Sequence, residues 1–92
     1  MSEALLQSKV MKYLKAQPNI WAVKVIQANV SGVPHIIGAK GFKFFAIELK
    51  NPNGKGKTTA LQQYNVDKLS DIGANILVSH DYLEVTQFIQ AI

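Results

Sequence analysis

Only two residues, Lys40-Gly41, separate His35-Ile-Ile-Gly-Ala39 from the run Phe42-Lys-Phe-Phe-Ala-Ile-Glu-Leu-Lys50. Both runs are rich in β-branched or aromatic side chains, and a link this short between two such runs makes an antiparallel hairpin. A third run of this kind, "IWAVKVIQANV", predicts a strand near 20–28 and reaches the hairpin through the turn "SGVP", so the first three strands form a meander. The breaker-rich "NPNGKGKTT" is a loop within the domain, after which Thr59 and Gln62 have capping-box spacing and open a helix that ends near Ile72-Gly73. "ANILVS" is a fourth strand, and the helical crossover before it sets it parallel to the third. A first helix over Glu3 to Gln17, with Leu6, Val10, Tyr13 and Leu14 at helical spacing, stops before Pro18-Asn19; a last one opens at the Asp81/Glu84 capping box. The order αβββαβα defines an α/β (α+β) sandwich, a mixed sheet flanked by helices.

With 92 residues the chain makes one domain, 1–92, with space for one sheet and one site. No apolar run approaches the roughly 18 residues of a membrane span, and the N-terminal sequence lacks a basic segment followed by an apolar block, so the expected location is cytoplasmic, with no membrane partner. The absence of cysteine removes disulfides, thiolate metal sites and thiol nucleophiles, leaving carboxylates, lysines, two histidines and hydroxyls. All ten basic residues are lysines, and the net charge is +4. That charge suits an anionic partner, but lysine lacks the planar fork of arginine, so contacts to a phosphate backbone fit better than base readout.

Glu48 and Lys50 end the third strand. Side chains alternate along a strand, so the two project from one face, about 6.5 Å apart along the backbone. With Lys40-Gly41 as the hairpin loop, Ala39 pairs with Phe42, Ile37 with Phe44 and His35 with Ala46. His35 then lies on the face of Glu48, diagonally across the ladder at about 7–8 Å. Ile37, Phe42 and Phe44 make the other end of that face apolar, which predicts a helix covering that end and a cleft at the polar end. On the first helix Glu3, Gln7, Val10 and Leu14 form a stripe, so Glu3 follows the core-facing line. Two carboxylates, a histidine and a lysine can converge.

At these residues the chain resembles the PD-(D/E)xK nucleases and, within them, the virus-type replication-repair nuclease (VRR-NUC) domain. The likeness runs through "EALLQSKVMKYLK", "SGVPHIIG" against a family "GVPD" segment, "FFAIELK" against its E-x-K strand, and "TTALQQY" against its S-x-x-Q helix start. It implies a restriction-endonuclease-like core and a metal-dependent phosphodiesterase. In such a site the motif acid, Glu48 and the Leu49 carbonyl hold Mg²⁺ or Mn²⁺, Lys50 orients the attacking water, and Gln62 belongs to the catalytic set. It further implies a homodimer acting on branched DNA such as four-way junctions, encoded by a bacterium or phage.

One position departs from the pattern: His35 stands where the family has aspartate. Mg²⁺ prefers oxygen ligands, whereas Mn²⁺ accepts imidazole. Three accounts compete: an inactivated site, a ligand swap that keeps a weaker Mn²⁺ site, and a histidine with no ligand role. Blander readings stand beside the other residues. Glu48 and Lys50 also read as sheet-edge charges, Glu3 as a favourable first-turn acid and candidate extra metal ligand, and Gln62 as a local cap. Lys55 and Lys57 read as a solvated basic loop or, with Lys50, as DNA phosphate contacts; His80 reads as a surface residue. "NGKGKTT" does not make a phosphate-binding P-loop, because Asn51 occupies the position of its first glycine.

Overall fold

Ser2 starts the first helix, α1 (Glu3–Ala16), by accepting the Leu5 N–H at 3.1 Å on its hydroxyl. In this computed structural model, which describes residues 1–54 and 56–92, the chain then forms β1 (Ile20–Lys24), β2 (Ile36–Lys40), β3 (Lys43–Leu49), α2 (Ala60–Asp71), β4 (Asn75–Ser79) and α3 (Tyr82–Ala91). The sheet order is β1-β2-β3-β4. The first two pairings are antiparallel, and β3 and β4 are parallel. The predicted order, meander and parallel crossover are all present.

Side-chain alternation gives the sheet two unlike faces. Ile36, Phe45, Ile47 and Leu49 are buried against Leu6, Val10 and Leu14 of α1 and Val85 and Ile89 of α3. Each such buried side chain is worth about 1.5–3 kcal/mol relative to exposure, so this side carries most of the stability. The opposite face carries Glu48. Its helix, α2, packs on β4 and buries none of its own residues fully.

Two expectations are corrected. The hairpin register pairs Lys40 with Lys43, Ala39 with Phe44 and Ile37 with Ala46. The loop is therefore Gly41-Phe42. Gly41 takes φ 61°, the glycine-first pattern of a type II′ hairpin, whereas a Lys40-Gly41 loop puts the glycine second. Lys40 is drawn into the ladder, and its Nζ donates to the carbonyls of Ile89 and Ile92 at 2.8 and 2.9 Å, capping the C-terminus of α3. A two-residue shift preserves the faces. Continued one pair, the register sets His35 directly opposite Glu48 instead of diagonal to it. The second correction is that no helix covers the apolar end of the Glu48 face: Phe42 is 97% exposed and Phe44 42%. Two of the three helices lie on the other face, and α2 lies at the β4 side.

Candidate active site

Glu48 ends up fully buried because its strand is flanked on both sides and the Gln62 side chain reaches over it from α2. A buried carboxylate needs compensation. Its Oε2 accepts a hydrogen bond from Gln62 Nε2 at 2.7 Å and lies 3.3 Å from Lys50 Nζ. Lys50 Nζ in turn donates to Gln62 Oε1 at 2.6 Å and to the Lys57 carbonyl at 3.2 Å. Gln62 thus faces both charged groups, oxygen to the ammonium and nitrogen to the carboxylate.

The orientation of that amide comes from local helix chemistry. Thr59 caps α2 with its hydroxyl accepting the Gln62 N–H at 3.2 Å, and the Thr59 N–H donates to Gln62 Oε1 at 3.0 Å. The reciprocal capping box is therefore real, and it does not compete with a site role. The same side-chain oxygen serves both the cap and Lys50.

The segment before His35 is anchored to the same turn of helix. Asn65 Nδ2 donates to the Ser31 carbonyl at 3.2 Å, and a Cβ on Gly32 would lie 2.6 Å from the carbonyl carbon and oxygen of Leu61. With φ 82° as well, Gly32 is the residue that permits this approach. Pro34 is buried behind it.

His35 sits between two acids. Its Nε2 is 3.8 Å from Glu3 Oε1, and its Nδ1 is 3.6 Å from Glu48 Oε2. The Leu49 N–H donates to Nδ1 at 3.1 Å, so that nitrogen is an acceptor and carries no proton. The approach to Glu48 is then not an ion pair. Nε2 carries the ring proton toward Glu3, and neither nitrogen offers a free lone pair to a cation in this arrangement.

The predicted set of Glu3, His35, Glu48, Leu49, Lys50 and Gln62 thus gathers at one end of the sheet. Lys57 joins through its backbone carbonyl while its side chain is exposed. Lys55 lies outside the described residues. His80 is exposed, as expected. Sequence reasoning missed the anchoring by Gly32 and Asn65 and the Leu49 N–H bond; the glycine in "SGVP" was the available signal.

A divalent cation needs free oxygen donors, and Glu48 Oε1 is one: it is buried and has no hydrogen-bond partner. An orphaned buried acceptor of this kind costs roughly 1–3 kcal/mol. Among the described residues no group of three or more His, Cys, Asp or Glu side chains is gathered closely enough to hold a metal ion. That still fits Mg²⁺, which commonly takes one or two carboxylates and keeps several waters.

No family model and no curated protein sequence matches the chain. Solved structures do match in fold. One, described as a VRR_NUC domain, superposes with a TM-score of 0.80 at 19% identity, covering 96% of this chain and 94% of its own. Another, described as a VRR_NUC domain protein, gives 0.78 at 21% identity, covering 98% and 86%. The chain thus shares a helix-flanked, four-stranded mixed-sheet fold with these domains. Its fold is, more particularly, that of VRR-NUC domains.

Proposed function

We propose that this chain is a metal-dependent, structure-specific DNA endonuclease of the PD-(D/E)xK type, which hydrolyses phosphodiesters in branched DNA such as four-way junctions, with His35 weakening its activity. The observation that carries this reading is Glu48: a fully buried carboxylate with one oxygen paired to Lys50 and Gln62 and the other without a partner. A structural sheet-edge charge is solvated, and this one is not.

Glu48, the Leu49 carbonyl and Glu3 are the oxygen donors that would hold Mg²⁺ or Mn²⁺; when bound, such an ion lowers the pKa of its water and neutralises charge on phosphate. The chain's own residues supply the rest. The Lys50 ammonium, largely buried and fixed by three acceptors, is placed to orient a water and to stabilise negative charge on a phosphoryl oxygen. Gln62 keeps Lys50 and Glu48 in register. Lys57, with Lys55 and Lys50, supplies phosphate contacts, and binding of this kind weakens steeply as salt rises.

A second reading, a DNA-junction-binding module that does not cut, is favoured by one specific contact: the Leu49 N–H occupies His35 Nδ1, so the residue at the motif acid position brings no ligand.

Cleavage of a four-way junction and of a linear duplex, each with Mg²⁺ and with Mn²⁺, tests both readings. Metal-dependent cutting of the junction that disappears in Glu48→Gln and in Lys50→Ala, assayed at a temperature where circular dichroism shows each variant folded, supports the endonuclease. Junction binding with no cutting under either metal supports the module. Cutting that survives both substitutions places the chemistry elsewhere.

A further inference from the structure

Between α1 and the free edge of β1 runs a groove of about 330 Å³, and nothing in the site above uses it. We infer that this groove is a track for a DNA backbone leading away from the Glu48 site, with Lys15 and Lys24 as its phosphate contacts. The inference rests on the endonuclease reading for its ligand, and on the groove's own chemistry for its position.

Its lining includes two lysines, Gln7 and Ser8 and no acidic side chain. Both lysines are exposed, so their ammonium groups are free to follow a backbone rather than being committed to the fold. The strand edge adds donors. Val25 N–H bonds to the His35 carbonyl at 2.7 Å and Gly41 N–H to the Asn19 carbonyl at 3.0 Å. Alternation along an antiparallel strand then turns the amides of Ala22 and Lys24 outward to the free edge, interleaved with the carbonyls of the same residues. A groove with two cations, two neutral polar side chains, no acid and an apolar floor of Met11, Ala22 and Val23 suits the phosphates and sugars of a backbone.

Its position ties it to the site. Glu3, at the start of α1, reaches His35, and Lys24 pairs with Ile36, the residue after His35. Lys15 lies twelve residues along α1 from Glu3, roughly 18 Å at 1.5 Å per residue. A strand whose phosphate enters the Glu48 site therefore meets one cation near the site, Lys24, and another, Lys15, farther along the same groove. The other predicted contacts, Lys50 and Lys57, lie at the α2 end of the sheet, so the groove gives a separate arm of a branched substrate its own path.

The test is equilibrium binding of a four-way junction in EDTA over a series of salt concentrations. Lys15→Gln with Lys24→Gln is expected to weaken binding about tenfold and to make the slope of log K against log salt shallower by about 1.8, two phosphate contacts at about 0.9 each. Lys43→Gln with Lys68→Gln removes the same charge elsewhere and is expected to change the slope by less than half as much. Equal slopes for the groove pair and the unaltered chain, with binding intact, overturn the groove and leave the nuclease reading standing. No salt-sensitive binding by the unaltered chain overturns both.

Discussion

At the scale of single residues the site is a balance around one buried acid. Removing Lys50 leaves Glu48 with a single amide donor, and removing one partner of a buried pair costs more than the pair is worth, about 3–5 kcal/mol where nothing else compensates. Position 35 decides the sign of the remaining charge. Aspartate there sets a second carboxylate within a few ångströms of Glu48, which is unfavourable without a cation and favourable with one. His35→Asp is therefore expected to raise Mg²⁺-dependent cleavage by one to two orders of magnitude, about 1.4–2.7 kcal/mol in the barrier, with Mn²⁺ narrowing the gap. The same variant is expected to gain more thermal stability from added Mn²⁺ than the unaltered chain does, because a ligand that binds only the native state stabilises it by mass action. Equal Mg²⁺-dependent rates and equal metal-induced shifts in Tm for the two proteins would falsify the assignment of position 35 to the metal site.

At the scale of elements, the first turn of α2 is the junction that assembles the site. It presents Gln62, carries the cap at Thr59, and receives the Ser31-Gly32 segment that delivers His35. Gly32→Ala forces a Cβ against the Leu61 peptide and a non-glycine residue into the left-handed region. The backbone conformation alone costs about 1–2 kcal/mol, so a Tm lower by several degrees is expected, together with loss of cleavage even at temperatures where the fold is intact. A variant with normal Tm and normal activity would show that the close approach is dispensable. Most of this scale was legible in the sequence. Caps, β-branched runs and short links are local signals, and they placed seven elements in the right order, although the expected Asp81/Glu84 box is a simple cap in which Asp81 accepts the Leu83 N–H. The face shared by His35 and Glu48 survived because the register error was an even number of residues. The register itself was not legible: it turns on Lys40 reaching the carbonyls of Ile89 and Ile92, about fifty residues away in sequence, and on which side of the loop the glycine falls. The docking of Gly32 on Leu61 is equally non-local, and so is the burial of Glu48, which requires Gln62 to reach it from α2, fourteen residues on.

At the scale of the whole molecule the two faces of the sheet are covered unequally, and we propose that a second copy of the chain makes up the difference. Trp21, Ala39 and Phe44 lie side by side across β1, β2 and β3, with Val23 and Ile37 in the next row. Trp21 is 62% exposed and Phe44 42%, and Phe42 at the tip of the hairpin is 97% exposed. With 150–250 Å² available from each aromatic side chain, this surface amounts to on the order of 500 Å² of apolar area, enough for the centre of a standard interface of about 800 Å² per partner. None of these side chains is charged, so the surface mates with a copy of itself without requiring a partner of opposite charge, and the lysines of α1 remain on the far side for DNA. Pairing through this face also sets two Glu48 sites on one assembly, which suits paired cuts in a symmetric junction. Sedimentation equilibrium is expected to show a dimer for the unaltered chain and a monomer for Trp21→Lys with Phe44→Lys, since two ammonium groups facing their symmetry mates are not buried without counter-charge. Single-site cleavage of a nicked duplex should be retained by that monomer while coordinated cutting of both arms of a four-way junction is lost. A dimer that persists in the double variant moves the interface to another surface, and an unaltered chain that sediments as a monomer at tens of micromolar removes the homodimer from the proposal.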